Sequence, residues 1–243
     1  MKLILLFIHV LTAVILASLF WMFPRKFRDS LVRWWARRLL HIFKIRVVIE
    51  NPHRTSLDQQ NYLVAANHIS WLDIHILNSI KPLTFVAKSE VGSWPVFGYL
   101  ARQIGTLFIV RERVSDIKRV IKEMQAQFVH RSICIFPEGT SSDGRSILPL
   151  KSNLFQGAID ANRPVLPVLI QFRQQGRYSD VPIFVGDMGL LSSIRRISSH
   201  DNLEAHIYLI QPINNESNRR QLCAAVENSL LKQMACLRDN ENM

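Results

Sequence analysis

From residue 45 onward the chain alternates short β-rich runs with stretches of helical spacing, and no other feature narrows its fold as much. IRVVIE at 45–50, YLVAA at 62–66, TFVAK at 84–88, TLFIV at 106–110, ICIF at 133–136, VLPVLIQF at 165–172 and HIYLIQP at 206–212 have the branched and aromatic content of strands. Residues 70–80, 95–103, 114–130, 153–162 and 216–236 have helical spacing, which Val114, Ile117, Val120, Ile121, Met124 and Phe128 illustrate. Such alternation predicts an α/β fold with a mixed, largely parallel sheet flanked by helices. In open sheets of this kind, sites gather at the carboxyl ends of the strands. Residues 173–205 follow no clear pattern, and no internal repeat or low-complexity tract occurs.

The region before residue 46 is different in kind. Residues 3–23 form an apolar run of 21 without a formal charge. As one helix it would be about 31 Å long, matching a hydrocarbon core of about 30 Å. A cleaved signal peptide fits less well, because FPRKF follows where small residues would be needed. Pro24 is expected to break this helix, and DSLVRWWARRLLHIFK to form a second that starts near Asp29 or Ser30. Its stripe of Leu31, Trp34, Trp35, Leu39, Ile42 and Phe43, with Arg33, Arg37 and Arg38 mostly off it, suits a helix in the headgroup region. The alternative is an ordinary helix packed on the core.

Charge supports a membrane. Lys and Arg outnumber Asp and Glu by 30 to 19, and residues 25–46 hold eight of those cations against Asp29 alone, which is +7 of the net +11. One basic block beside an apolar segment suits anionic headgroups better than nucleic acid. The expected organisation is therefore membrane-anchoring helices at 1–45, spanning or inserted in one leaflet, followed by one domain at 46–243. Positive charge after the apolar run puts that domain at the cytoplasmic face of a membrane. Cys134, Cys223 and Cys236, odd in number and without C-x-x-C spacing, read as reduced thiols.

The chemistry is concentrated in NHISWLD at 67–73. Asp73 follows His68 by five positions, an offset that on a regular helix points two side chains about 140° apart. With a strand ending at Ala66 and a helix capped by Ser70, however, His68 lies in the turn and Asp73 in the first helical turn. The carboxylate can then hold Nδ1 and leave Nε2 free as a base, the base-and-orienter half of a triad. A surface histidine beside a common helix cap would read the same. A metal site at His68, Asp73 and His75 is disfavoured, because the spacing fits no helical metal motif and no His or Cys cluster supports it. Trp71 and His75 read as helix packing.

NHISWLD, GTLFIVR at 105–111, FPEGT at 136–140 and RPVLPV at 163–168 resemble, in order and spacing, the four blocks of the glycerolipid acyltransferase family, which includes 1-acylglycerol-3-phosphate O-acyltransferases. AKSEVGSWPVFG and PLKSNLFQGA resemble its connecting sequence. The resemblance implies transfer of a fatty acyl group from a thioester, on acyl carrier protein or coenzyme A, to the free hydroxyl of a lysolipid. It implies that His68 is the base and Asp73 its partner, and that no cofactor takes part. A thioester is already activated, so no covalent nucleophile is required, and no G-x-S-x-G occurs.

By the same resemblance Arg111, Glu138, Gly139 and Thr140 bind the acceptor's headgroup; Lys88 and Lys151 are candidate compensating cations there, each otherwise an ordinary solvated surface charge. Two positions depart from the pattern: Val110 where an acid is frequent, and Ser141 where arginine is. The principal expected acceptor is 1-acylglycerol 3-phosphate, giving phosphatidic acid. The SSDG after FPEGT is closer to relatives that acylate other lysolipids, lyso-ornithine lipid among them. Pro164 and Pro167 match the fourth block and are expected at a strand edge near the acyl chain, with a purely structural role as the equal alternative. Two other kinds of protein compete with this reading, a non-catalytic membrane lipid-binding protein and a hydrolase of acyl thioesters.

Overall fold

The structure, a computed structural model, describes residues 2–55, 57–214 and 218–241. Two helices lead, α1 (Lys2–Ser18) and α2 (Arg25–Phe43), with a 3-10 turn at Phe20–Met22 between them. The strands are β1 (Ile45–Glu50), β2 (Leu63–Ala66), β3 (Thr84–Lys88), β4 (Leu107–Ile109), β5 (Ile133–Ile135), β6 (Val165–Gln174), β7 (Arg177–Tyr178) and β8 (Leu203–Leu209). Between and after them lie α3 (Leu72–Ile80), α4 (Ser89–Gly92), α5 (Phe97–Gln103), α6 (Val114–Phe128), α7 (Phe155–Asp160), α8 (Leu190–Ser198) and α9 (Arg219–Glu241). The expected mixed, largely parallel sheet is present. Its order is β1-β8-β6-β2-β5-β3-β4, with β7 paired to β6. Among the described strands the β6–β8 and β6–β7 pairings are antiparallel, and an isolated antiparallel bridge joins Val165 to Ile213.

Both faces of the sheet are covered, so its central strands are apolar throughout rather than alternating with polar residues. In β2 the pleat sends Val64 and Ala66 toward a core shared with Leu39 and Phe43 of α2, Leu72 and Ile76 of α3 and Ile197 of α8. Leu63 and Ala65 point the other way, toward Val120 and Met124 of α6, Phe155 of α7 and Leu222 of α9. The five parallel strands β6, β2, β5, β3 and β4 place their carboxyl ends along one edge.

Three expectations about the flanks need correction. The apolar run does not make one 21-residue helix. α1 ends at Ser18, so it is about 26 Å long, and Phe20–Met22 tighten into the 3-10 turn. No helix among the described residues is long and apolar enough to cross a membrane. Second, α2 begins at Arg25, four residues before Asp29, because Pro24 occupies the cap position with an extended backbone and starts the helix. Asp29 is instead an ion-pair partner of Arg131 and Arg25. Third, much of the apolar stripe of α2 is not turned to a lipid surface: Leu39, Ile42 and Phe43 are buried, and Arg37 donates to the Ser79 carbonyl at 2.8 Å.

Pro167 also sits elsewhere than expected, inside β6 and opposite Ala65 in the central sheet. The antiparallel ladder to β8 begins only at Val168, and the Pro167 carbonyl accepts the Ile210 amide just beyond the end of β8. Pro167 has no N–H to return to the Ile210 carbonyl, so that pair keeps one bond instead of two and lies at the end of the ladder.

Candidate active site

The turn after β2 holds the central pair. Asn67, fully buried, extends the β2–β6 ladder with its side chain: its Nδ2 donates to the Ile170 carbonyl at 3.0 Å and its Oδ1 accepts the Ile170 amide at 2.7 Å. This pins the chain one residue before His68. The regular helix α3 starts at Leu72, two residues beyond Ser70, whose Oγ accepts the Leu72 amide at 3.3 Å. Asp73 therefore faces back over the turn. Its Oδ2 lies 2.8 Å from His68 Nδ1 and also accepts the amides of Ile69 at 2.7 Å and Ser70 at 2.9 Å.

The chemical consequence is a defined tautomer. An ionised carboxylate can only accept, so Nδ1 carries the hydrogen and Nε2 is left as a base. The imidazole stacks on Phe136, with centroids 4.1 Å apart and planes at 18°. Asp73 is fully buried, while His68 keeps 23% of its side chain exposed.

His68 lines an apolar cavity of about 290 Å³. α1 and the 3-10 turn after it supply one wall through Ala13, Ala17 and Phe20, and α5 another through Phe97 and Ala101. Trp71 and His75 line it as well, so they do more than pack the helix. His75 lies edge-on to Trp35, which in turn stacks on His9 at 4.6 Å. Burial lowers the His75 pKa to about 3, with His9 adding to the effect. His9 is lowered to about 4, also chiefly by burial. Neither Pro164 nor Pro167 is among the lining residues.

The expected acceptor residues lie after neighbouring strands on the same edge. Arg111, two residues beyond β4, donates through Nη1 to the Gly139 carbonyl. Gly139 has φ +80°, and a Cβ there would lie 2.7 Å from Arg111 Nη1 and 3.0 Å from Lys151 Nζ. Only glycine tolerates both that backbone and the two cations closing over it. Burial lowers the Arg111 pKa, opposed by Glu112 and Glu90. Lys88 ends β3 opposite Ile109 and acts on Glu90, as Arg111 also does. Thr140 is exposed beside Gly139.

Glu138 is placed apart from these cations. Its carboxylate is buried behind the histidine, where Oε1 accepts the His68 amide at 2.8 Å and Oε2 the Leu148 amide at 3.0 Å. Ser141 donates to the Phe184 carbonyl. Sequence reasoning missed Phe136, Ser142 and the α1 wall as parts of the site. The last had a signal, since Ala13 and Ala17 are small residues four apart, hence on one helix face, within an otherwise bulky run. No group of His, Cys, Asp and Glu suited to a metal occurs among the described residues.

An α/β domain that gathers an imidazole, a buried carboxylate, an apolar cavity and converging cations along one sheet edge has the layout of a transferase joining an apolar group to a polar one. Comparison with known proteins makes the class specific. The family model described as Acyltransferase matches residues 44–171. Lyso-ornithine lipid O-acyltransferase of Pseudomonas aeruginosa is 40% identical over 190 residues, 76% of this chain and 70% of its own. 1-Acyl-sn-glycerol-3-phosphate acyltransferase of Neisseria meningitidis is 37% identical over 147 residues, 60% of this chain and 57% of its own length. The crystal structure of the 1-acyl-sn-glycerophosphate (LPA) acyltransferase PlsC from Thermotoga maritima shares the fold, with a TM-score of 0.65 at 19% identity and 98% of each chain covered. The chain belongs to the acyltransferase family.

Proposed function

We propose that this protein transfers a fatty acyl group from an acyl thioester, on acyl carrier protein or coenzyme A, to the free hydroxyl of a lysolipid. The observation that carries the reading is the His68–Asp73 pair at the wall of an apolar cavity. His68 Nε2 takes the hydroxyl proton as the oxygen attacks the thioester carbonyl. The tetrahedral intermediate collapses, the C–S bond breaks, and the imidazolium returns the proton to the departing thiolate. Asp73 stabilises that imidazolium while it lasts. The fatty chain lies in the cavity walled by α1 and α5.

Arg111 and Lys151, with Lys88 further out, face the acceptor over Gly139 and Thr140. A guanidinium beside an ammonium suits a phosphate, and 1-acylglycerol 3-phosphate, giving phosphatidic acid, is the leading acceptor. A second reading is a different lysolipid such as lyso-ornithine lipid. It is favoured by Ser141, which adds no cation and bonds to Phe184, and by the name of the Pseudomonas relative.

Residues 1–45 anchor the acyltransferase domain, 46–243, at the cytoplasmic face of a bacterial inner membrane. α1 and the turn after it expose Ile4, Phe7, Ile8, Leu11, Ile15 and Trp21, the last at 81%. Such a contiguous apolar face, with Arg25, Lys26 and Arg28 next in the chain, supports insertion in one leaflet beside anionic headgroups.

The test is an assay of the purified protein in detergent with one acyl thioester, with and without a panel of lysolipids, phosphate-bearing and phosphate-free. Acceptor-dependent thiol release and a diacylated product are expected. Thiol release independent of acceptor would make the protein a thioester hydrolase, and no turnover at all would leave a lipid-binding protein.

A further inference from the structure

The FPEGTSS segment, Phe136 to Ser142, touches His68 at three points. Glu138 Oε1 accepts the His68 amide at 2.8 Å. The His68 carbonyl accepts the Ser142 amide at 2.8 Å and the Ser142 hydroxyl at 3.3 Å. The Phe136 ring stacks on the imidazole. Together with Asp73 on Nδ1, these contacts engage the main-chain donor and acceptor of His68, one ring nitrogen and one ring face. Glu138 is 4% exposed and Ser142 6%. Both carboxylate oxygens of Glu138 are occupied by amides, the second by that of Leu148.

We propose that Phe136, Glu138 and Ser142 are positioning residues for the catalytic histidine, and that Glu138 does not bind the acceptor's headgroup. The assignment rests on reading His68 as the base. A carboxylate beside an anionic headgroup would repel it, whereas one that accepts two amides behind the turn fixes where the imidazole stands. Burial raises the Glu138 pKa while the Leu148 and His68 amides oppose that shift, as befits a carboxylate held by the main chain. The segment thus has two faces. Phe136, Glu138 and Ser142 point to the histidine, and Gly139 meets the cations. A base displaced by about 1 Å can lose about 10²-fold in rate, so such a clamp acts on turnover rather than on binding.

The experiment is steady-state kinetics on Glu138→Gln and Ser142→Ala, with Arg111→Ala as the acceptor-side control, using lysolipids of different headgroup charge. Glu138→Gln keeps one oxygen for the His68 amide but sets an NH2 against the other donor. A fall in kcat of roughly 10- to 100-fold is expected, and of a few-fold for Ser142→Ala, with the acceptor KM within about two-fold for every headgroup. Arg111→Ala raises KM instead. Ser142→Ala removes one hydroxyl and keeps the amide bond, so it remains a usable test if Glu138→Gln does not fold. A rise in acceptor KM at unchanged kcat, varying with headgroup charge, overturns this assignment alone. A wild-type protein that acylates no lysolipid overturns the proposed function, and this assignment falls with it.

Discussion

His68 Nδ1 and Asp73 Oδ2 are 2.8 Å apart at an offset of five positions because the histidine precedes the helix in whose first turn the aspartate lies. The same oxygen takes the Ile69 and Ser70 amides, so the turn and the acid–imidazole contact form together. The sheet supplies the fixed point: Asn67 ties the turn to β6, and the FPEGTSS segment after β5 closes on it from behind.

Charge and geometry at Asp73 can be separated. In Asp73→Asn the amide oxygen can take the place of Oδ2, with the NH2 where Oδ1 now lies buried without a hydrogen-bond partner. The three donors keep an acceptor, but the imidazolium loses its counter-charge. A kcat reduced by about 10²- to 10⁴-fold with a melting temperature near that of the wild type is expected. Equal losses in stability and activity would make the carboxylate merely structural.

Asn67→Ala should act mainly on stability. It leaves the Ile170 amide and carbonyl without their side-chain partner inside the sheet. Each buried orphan costs about 1–3 kcal/mol, so urea unfolding should give a loss of at least that size. A variant within about 0.5 kcal/mol of wild type would contradict the role of this stitch.

Enlarging the α1 wall should change chain-length preference. Ala17 is 4% exposed and lines the cavity. Ala17→Phe is expected to reduce kcat/KM for long acyl thioesters by roughly 10-fold or more and to spare short ones, on the scale at which methylenes are discriminated in apolar pockets. A uniform loss across a C8-to-C18 series would place the chain elsewhere.

Acid should loosen the N-terminal helices. His9 and His75, with pKa values of about 4 and about 3, stay neutral in the folded protein at pH values where the unfolded chain, near 6.5, takes up protons. Stability from these groups is therefore complete above about pH 6.5 and declines as pH falls toward 4 and then 3. Melting temperature should drop over that window, and His9→Gln should make the slope shallower. An unchanged slope in that variant would remove His9 from the account.

The sheet was legible because its central strands are buried on both faces and stand out as apolar runs, while the edge strand β1, only partly buried, shows through its branched residues; β1 and β3 match IRVVIE and TFVAK residue for residue. The His68–Asp73 contact was legible too, since a cap motif sets its geometry locally. The length of α1 was not: hydropathy reports that residues 3–23 avoid charge, but not that the helix ends at Ser18. In residues 173–205, β7 is only two residues long and α8 follows a long loop, too little for periodicity to register. Nor could sequence tell which way Glu138 faces, because its partners lie 70 and 10 residues away and meet it only in the folded sheet.

The most direct measurement is turnover by His68→Ala, purified and folded, with acyl thioester and the best lysolipid acceptor. His68 is partly exposed and its main-chain bonds do not need the ring, so the variant should fold and bind substrate while kcat falls by about 10²- to 10⁴-fold. Acylation at close to the wild-type rate by that variant would contradict the account.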